Sequence, residues 1–491
     1  MSSSADAPLS QRTVRAGLWA VGARLSSRVI DLVALLVLAR FLGPADFGLV
    51  ATAMTIIFIV EAILELPLAS ALIRLPEISR RAYDTAFTLG LLRGVAVAAL
   101  MAALSYPLAR FYGDERLVPL ICTLALAPAM RGLASPRMVQ FEKSMDFRRR
   151  GILEFLGKTT AAAVAIMIAV ATGSYWAIAA STITAPTVMM IVSYVMAPML
   201  PRLTLTDWPL FADVVGWNFA SQILAAINWQ IDRLLLPRYI DTASFGRFTA
   251  ANDLASLPFQ AVAAPAAGPL MAAFVNAREK GTLRETYLKS SGGLVLILLP
   301  ILCFMALLSG PVIRVLLGAK WGEAAPILTW FALIALIALP SIPMSSLAML
   351  VGRSRALAVR SLAELSVRVP LSLAGVIFFG IPGAIVAKLG GTLAACISSF
   401  YLTREIAGVR IADQLLVVVR PLMAVIPAAL VLYLCEIYLN FDDNLYISFV
   451  LTGAVYCLTY GAFIYLLWVA ARRPQGVEAS LAGMVSRYVS R

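Results

Sequence analysis

The sequence contains no histidine, and only 14% of its 491 residues are charged. The lack of histidine removes the usual metal ligand and the usual proton relay near neutral pH. A typical soluble domain carries about a quarter charged residues, so the shortage of charge argues against a water-covered protein. The five cysteines are scattered through apolar segments without the spacing of metal ligands, a pattern typical of small core residues. These shortages favour a protein whose solvent is mostly lipid.

Apolar stretches long enough to cross a bilayer recur along the whole chain, in which 61% of the residues are hydrophobic. A helix of about 20 apolar residues spans the hydrocarbon core. The sequence therefore predicts an all-α integral membrane protein with about 14 transmembrane helices. We place them at roughly 17–39, 48–72, 83–108, 117–138, 151–171, 175–199, 214–237, 245–274, 288–316, 325–349, 356–379, 381–401, 417–437 and 446–470.

The net charge of +13 is concentrated in alternate short loops, for example at residues 80–81 and 148–150. This is the positive-inside pattern of a membrane protein, and it argues against nucleic acid as a partner. It predicts an even number of spans across the bacterial inner membrane, with both termini in the cytoplasm. Because no loop is long enough for a soluble catalytic domain, we expect the function to lie between the helices.

Two segments of the chain resemble each other. Residues 38–48 match residues 236–246, with Phe47-Gly48 aligned to Phe245-Gly246. A weaker match pairs Glu154 and Lys158 with Glu364 and Arg368. Six predicted helices separate the copies, so the repeats are parallel. Parallel repeats of this kind are typical of transporters that rock around a midplane site.

The repeats predict two pseudo-symmetric six-helix lobes around a central cavity. We assign residues 1–205 to the first lobe and residues 206–410 to the second lobe. Residues 411–491 would form two additional helices and a cytoplasmic tail.

Three segments resemble a known family: residues 38–49, residues 141–148 and residues 317–322 with the helix that follows. They are similar to the Wzx-type polysaccharide-transport flippases of the multidrug/oligosaccharidyl-lipid/polysaccharide superfamily, and most of all to its colanic-acid and succinoglycan exporter branch. The resemblance implies a flippase in exopolysaccharide or lipopolysaccharide biosynthesis. Its substrate would be an undecaprenyl-diphosphate-linked oligosaccharide, moved to the periplasmic leaflet by alternating access. Polymerase and chain-length components of the pathway are further expected partners.

Arginines inside the predicted spans are candidates for binding the diphosphate, because an intramembrane charge needs a partner or a water-filled cavity. Arg24 and Arg28 lie four residues apart in the first helix, and their mutual repulsion would be relieved by an anion. The lipid II flippases resemble this arrangement in their first helix. The alternative is that Arg24 reaches the membrane surface while Arg28 pairs with Asp31. Arg93 and Arg131 are further candidates, although Arg131 could also only reach the surface.

Carboxylates in the spans are candidates for ion coupling. Glu61 and Glu65 lie four residues apart, and close carboxylates can share a proton. The alternative is that both pair with Arg24, Arg28 or Arg93 across the lobe interface. The remaining candidates for coupling to a proton or sodium gradient are Asp31, Asp232 and Asp253.

The seventh predicted helix is unusually polar. Its amides are candidates for contacts with the glycan, or alternatively for hydrogen bonds between helices: Asn218, Gln222, Asn228 and Gln230. The opposite charges of Glu154 and Lys158, and of Glu364 and Arg368, are each expected to pair within their own helix.

Two other functions remain open from the sequence. A drug or small-molecule antiporter of the same superfamily would call for an acidic cavity, whereas the candidates here are mostly arginines. A membrane-embedded polysaccharide polymerase would call for a sizeable loop or an acidic metal cluster. The chain has no glycine-rich nucleotide loop ending in Lys-Ser/Thr. We therefore expect a transporter without enzymatic activity, cofactor or metal.

Overall fold

The computed structural model describes residues 9–144, 146–211, 228, 230–350, 354–438 and 445–471. All regular secondary structure in these ranges is helical. Contacts between residues divide the chain into two compact units, Met1–Gly246 and Arg247–Arg491. The predicted lobe boundaries at residues 205 and 410 stay a prediction.

The helices of the first unit follow one another through short connections. They are α1 (Leu9–Phe41), α2 (Pro44–Ile63), α3 (Leu68–Arg74), α4 (Arg80–Tyr112), α5 (Leu117–Leu124), α6 (Leu126–Gly132), α7 (Val139–Lys143), α8 (Phe147–Thr172), α9 (Trp176–Met196) and α10 (helical residues 230–239). A 3-10 turn, Pro136–Met138, precedes α7.

The second unit continues in the same way. Its helices are α11 (Thr242–Pro258, which begins in the first unit), α12 (Ala264–Glu279), α13 (Leu283–Leu307), α14 (Ser309–Leu316), α15 (Ala325–Ala338), α16 (Met344–Leu350), α17 (Ser354–Phe379), α18 (Ile381–Ala407), α19 (Ile411–Tyr438) and α20 (Leu445–Ala470).

The protein is a multi-pass membrane protein. The described residues contain 11 helical segments long and apolar enough to cross a bilayer, or 12 with the bent pair Leu117–Gly132 and Pro136–Lys143. The first predicted span is helical as part of α1. Most of the seventh, at 214–237, lies outside the described residues. The count of 14 therefore stays a prediction.

Prolines interrupt several spans. The predicted span 48–72 is broken before Pro67, because proline lacks an N–H and disfavours helix at the residue before it. The predicted span 117–138 is bent by 54° before Pro136. A π-helical turn follows Pro258, and a 3-10 turn contains Pro340. Irregular turns therefore lie at prolines inside the eighth and tenth predicted spans.

Each unit has its own apolar core. In the first unit, Leu49 and Ile57 of α2 pack with Met101 of α4 and Leu120 of α5, all at most 2% exposed. In the second unit, the core around Phe274 and Tyr287 joins α12, α13 and α16. Large apolar side chains elsewhere are exposed, as expected for surfaces that face lipid.

The two copies of the repeated sequence meet at a pair of glycines within the first unit. A Cβ added at Gly48 would lie 1.8 Å from the carbonyl oxygen of Thr242, and one added at Gly246 would lie 1.8 Å from that of Pro44. Each glycine thus packs against the residue four positions before the other glycine. The reciprocal contact gives the repeated Phe-Gly a physical reason, because only glycine lets the first turns of α2 and α11 approach so closely.

The last helix, α20, packs against α13 through two tyrosines. Pro300 of α13 has no N–H, so the carbonyl of Leu296 four residues earlier lacks its helical donor. Tyr460 donates its hydroxyl to that carbonyl at 3.0 Å, and Tyr456 donates to the carbonyl of Pro300 at 3.0 Å. The ring of Phe304 packs against Tyr456, with centroids 5.4 Å apart. Satisfying a freed carbonyl matters in lipid, where no water can replace the lost donor.

Candidate functional site

The break at the end of α2 is stabilised by an arginine from α4. Arg93 donates from Nε to the carbonyl of Leu64 at 2.9 Å and from Nη2 to that of Glu61 at 3.3 Å. Carbonyls at the end of a helix have no intrahelical donor, and in a membrane they need another partner. The guanidinium of Arg93 supplies it.

A second arginine joins the same end of α2 from α6. Nη2 of Arg131 lies 2.7 Å from both carboxylate oxygens of Glu61. The Glu61 side chain is 13% exposed, whereas that of Arg131 is 46% exposed. In the part of the chain that the structure describes, Nε and Nη1 of Arg131 make no hydrogen bond. We call Glu61, Arg93 and Arg131 the α2-break cluster.

Small residues bring the two arginines to one place. A Cβ added at Gly132 of α6 would lie 2.3 Å from the carbonyl oxygen of Gly90, and one at Gly94 would lie 3.0 Å from the Cα of Ala129. Helices α4 and α6 can therefore pack backbone against backbone, as small residues allow in membranes. This packing explains why arginines 38 positions apart in sequence reach the same helix end.

The arginines of the first helix are only partly described. The side chain of Arg24 lies outside the described residues. Arg28 is exposed, and no ion pair joins it to another described residue. Asp31 lies 2.5 Å from Nζ of Lys158 in α8. The alternative that Arg28 pairs with Asp31 is therefore wrong.

The expected pair within α8 is also wrong. Lys158 pairs with Asp31, and Glu154 pairs with Arg150 at 3.1 Å. The reason is the close packing of α1 on α8 through Leu38, Leu42 and small alanines, which places a carboxylate of the neighbouring helix beside Lys158. The matching pair in the second unit behaves as predicted, since Arg368 lies 3.5 Å from Glu364.

Two polar side chains of the seventh predicted helix each have a buried oxygen without a partner among the described residues. Oδ1 of Asn228 and Oε1 of Gln230 accept no hydrogen bond from the described residues. A buried acceptor without a donor costs about 1–3 kcal/mol, so each oxygen is suited to a ligand that donates. Asn218 and Gln222 lie outside the described residues.

The remaining carboxylate candidates differ in burial. Asp232 is buried on α10 in the first unit, and Asp253 is exposed on α11 in the second unit. Both interact with other groups. Glu65 is exposed beyond the end of α2 and is also engaged.

One intramembrane charge was missed by the sequence reasoning. Lys388 lies within α18, where its Nζ contacts Oδ1 of Asn252 and lies 4.1 Å from the centre of the Phe331 ring. A lone lysine in an apolar run is itself the signal that could have found it, because such charges are rare in spans.

Comparison with known proteins fits this membrane architecture. A family model described as a polysaccharide biosynthesis protein matches residues 37–326. The chain belongs to this family. The predicted resemblance to the Wzx-type branch of polysaccharide transport is thereby confirmed.

Named relatives of this polysaccharide biosynthesis family show sequence similarity over most of the chain. The succinoglycan biosynthesis transport protein ExoT of Rhizobium meliloti is 24% identical over 64% of this chain and 64% of its own length. The lipopolysaccharide biosynthesis protein WzxC of Escherichia coli is 23% identical over 70% of this chain and 71% of its own length. The alignment with ExoT thus spans less than two thirds of that relative.

The fold has a close match among solved structures. The lipid II flippase MurJ, in an inward closed conformation, superposes with a TM-score of 0.74 at 16% identity, over 93% of this chain and 100% of that chain. The family member described here therefore shares the MurJ fold.

Proposed function

We propose that the protein is a flippase that moves an undecaprenyl-diphosphate-linked oligosaccharide from the cytoplasmic to the periplasmic leaflet of the inner membrane. The observation that carries the proposal is the α2-break cluster, in which Arg131 keeps two nitrogens free of hydrogen bonds to described residues. Membership in a polysaccharide biosynthesis family and the MurJ fold support the same conclusion.

The diphosphate would bind to arginines. A guanidinium offers a planar fork of donors that matches phosphate oxygens, and such charge-assisted bonds are stronger than neutral ones. Arg131 is held in place by Glu61 and is 46% exposed, so it can receive an anion without losing its partner. Arg93 is occupied by the end of α2 and would act mainly by positioning the cluster. Arg28, and with it Arg24, would bind the same headgroup from the first helix.

The glycan would contact the polar seventh helix. The side-chain oxygens of Asn228 and Gln230, which accept no hydrogen bond from the described residues, can each accept one from a sugar hydroxyl. We assign the same role to Asn218 and Gln222. A drug antiporter would call for an acidic cavity, whereas the α2-break cluster contains two arginines and one glutamate.

Transport would proceed by alternating access, without a cofactor. The irregular turns after Pro258 and at Pro340 supply places where helices can bend. Coupling to a proton or sodium gradient would involve carboxylates that are already paired. These include Glu61, which is paired with Arg131, and Asp31, which is paired with Lys158. Both termini would lie in the cytoplasm, and the polymerase and chain-length components would act on the product.

The test is deletion of the gene in its host, followed by measurement of lipid-linked oligosaccharide and surface polysaccharide. We expect polysaccharide to be lost and the complete repeat unit to accumulate on the cytoplasmic leaflet. Complementation should fail with Arg131→Ala and with Arg24→Ala/Arg28→Ala, although both variants are stably expressed. The matched control is Arg116→Ala, which removes an exposed arginine paired with Asp114 outside the cluster.

One outcome would contradict the proposal. If repeat units still reach the periplasm in the deletion strain but stay unpolymerised, the protein acts after flipping, and the polymerase alternative takes its place.

A further inference from the structure

A cavity with arginine and tyrosine side chains in its lining lies in the first unit, away from the α2-break cluster. It has a volume of about 650 Å³ and is lined by Arg80, Tyr83, Arg137, Tyr194 and Leu200, among others. Arg80 begins α4, whereas Arg93 of the cluster lies 13 residues, or about 20 Å, further along that helix. The proposed transport function makes no use of this cavity.

The charged side chains that line the cavity are both arginines. Arg137 donates from Nη1 to the carbonyl of Pro198 at 2.7 Å, and Arg80 donates from Nη2 to that of Leu200 at 3.5 Å. Each arginine makes this one hydrogen bond within the described chain and keeps its other donors. The described side chains that line the cavity include no carboxylate. The first turn of α4, capped by Ser79, adds the positive end of a 33-residue helix.

The wall of the cavity is fixed by hydrogen bonds to α4. The segment after α9 runs along this helix, where the N–H of Arg202 donates to Asp84 at 3.1 Å and the N–H of Thr204 donates to Thr88 at 3.0 Å. Asp84 and Thr88 are buried, at 4% and 7% exposure. These bonds explain the polar residues at the start of an otherwise apolar helix, and they attach the segment that follows the cavity-lining Leu200 to α4.

The cavity lies at the ends of two spans. Four spans run from Arg80 to Met196 when the bent pair is counted as one, so the start of α4 and the end of α9 lie on the same membrane face. This is the face predicted to be cytoplasmic. Beside the cavity, Leu200 and Leu203 are 83% and 71% exposed. Exposed leucines at the end of two spans are suited to contact with acyl chains.

We propose that this cavity binds the headgroup of an anionic phospholipid of the adjoining leaflet. The phosphate would lie between Arg80 and Arg137, the polar headgroup would reach Tyr83 and Tyr194, and the acyl chains would pass Leu200. A volume of about 650 Å³ falls within the range of small-molecule sites, about 300–1,000 Å³. The bound lipid would tie the beginning of α4 to the segment after α9.

The test uses the purified full-length protein in detergent, with native mass spectrometry and thermal unfolding as readouts. The probes are phosphatidylglycerol, zwitterionic phosphatidylcholine and inorganic phosphate. We expect phosphatidylglycerol to bind and to raise the unfolding temperature. Each arginine at an anionic lipid surface contributes about fivefold in affinity, so Arg80→Gln and Arg137→Gln should each weaken binding about fivefold and the double variant about 25-fold.

The matched control is Arg110→Gln, which removes an exposed arginine beside Tyr106 at the other end of the same helix. This variant should bind phosphatidylglycerol like the wild type. Each single variant keeps one arginine hydrogen bond to the segment after α9. The single variants therefore still test the proposal if the double variant does not fold.

Several results would overturn the assignment. A purely structural role of the two arginines would lower the unfolding temperature of the lipid-free variants and leave phosphatidylglycerol binding within twofold of the wild type. Binding of phosphatidylcholine as tight as that of phosphatidylglycerol would show that the net charge of the lipid plays no role. Binding of inorganic phosphate as tight as that of phosphatidylglycerol would exclude a lipid site.

Discussion

Arg93 and Arg131 were equivalent in the sequence, but they differ in the structure. Arg93 is half-buried and gives its donors to carbonyls at the end of α2. Arg131 is 46% exposed and donates a hydrogen bond from Nη2 to the Glu61 carboxylate. Replacing Arg93 should therefore impair folding, whereas replacing Arg131 should impair transport.

Replacing Arg93 with alanine is expected to destabilise the protein. The substitution removes both donors from the carbonyls of Glu61 and Leu64, and an unsatisfied buried group costs about 1–3 kcal/mol. The measurement is thermal unfolding of the purified protein in detergent. Arg131→Ala, which removes no donor from a backbone carbonyl, serves as the control and should unfold closer to the wild type. Equal stability of the wild type and Arg93→Ala would show that the α2 break needs no side-chain donor.

The residues of the site could be predicted from the sequence, but the partner of each residue could not. An ionisable side chain inside an apolar run is visible in the sequence, and this rule found Glu61, Arg93 and Arg131. It did not tell which partner each would take. Lys158 pairs with Asp31 of another helix and not with Glu154 of its own helix. Pairing depends on how the helices are rotated and on residues far away in sequence.

At the scale of helices, the apolar runs located the spans well because length and hydropathy decide what crosses a bilayer. The breaks were harder to predict. Pro67 divides one predicted span, and the 54° bend before Pro136 divides another, although both prolines lie inside the spans that hydropathy predicts. In contrast, the repeated Phe-Gly segments did indicate a structural role, and the reciprocal packing of Gly48 and Gly246 supplies it.

Alanine at Gly48 or Gly246 should be strongly destabilising. In either variant the new Cβ would lie 1.8 Å from a backbone carbonyl oxygen, so the helices would have to separate. Overpacking typically costs about 1–3 kcal/mol, and contact with backbone places these variants at the upper end or beyond. The measurement is the yield of monodisperse protein together with its unfolding temperature.

Gly268 provides the matched control for these two variants. It also lies within a helix, α12, but a Cβ added there meets no atom within 4 Å. Gly268→Ala should fold normally. Normal folding of Gly48→Ala would contradict the close approach of α2 and α11.

The tyrosine contact between α13 and α20 predicts that a second substitution compensates for the loss of a tyrosine hydroxyl. Tyr460→Phe removes the donor to the carbonyl that Pro300 leaves free, and hydrogen bonds of this kind in membranes contribute about 0.6–2 kcal/mol. Pro300→Ala restores a backbone N–H for the same carbonyl. The loss caused by Tyr460→Phe should therefore shrink when both substitutions are combined.

A double-mutant cycle of unfolding temperatures measures this coupling. Tyr465→Phe is the control, because Tyr465 is 53% exposed and contacts the ring of Trp468 instead of a carbonyl. Additive effects of Pro300→Ala and Tyr460→Phe would show that Tyr460 does not replace the helical donor.

At the scale of the whole molecule, the class of fold could be predicted from long patterns: apolar runs, loop charges and a repeat six helices apart. The family could be predicted from the resemblance of residues 38–49, 141–148 and 317–322 to the Wzx-type flippases. The MurJ fold over 93% of the chain agrees with that reading. The cavity at the start of α4 could not be predicted, since it is built by single hydrogen bonds from a loop to Asp84 and Thr88.

The most direct test of the flippase proposal is transport by the purified full-length protein in liposomes. Lipid-linked oligosaccharide is placed in both leaflets, and a membrane-impermeant glycosidase reports how fast the inner pool becomes accessible. We predict that the wild type and Arg116→Ala expose the inner pool rapidly. Arg131→Ala should be slower by at least about tenfold, since a hydrogen bond to a charged group contributes about 1.5–3 kcal/mol. Exposure no faster than in protein-free liposomes, or equally fast with Arg131→Ala, would contradict the account.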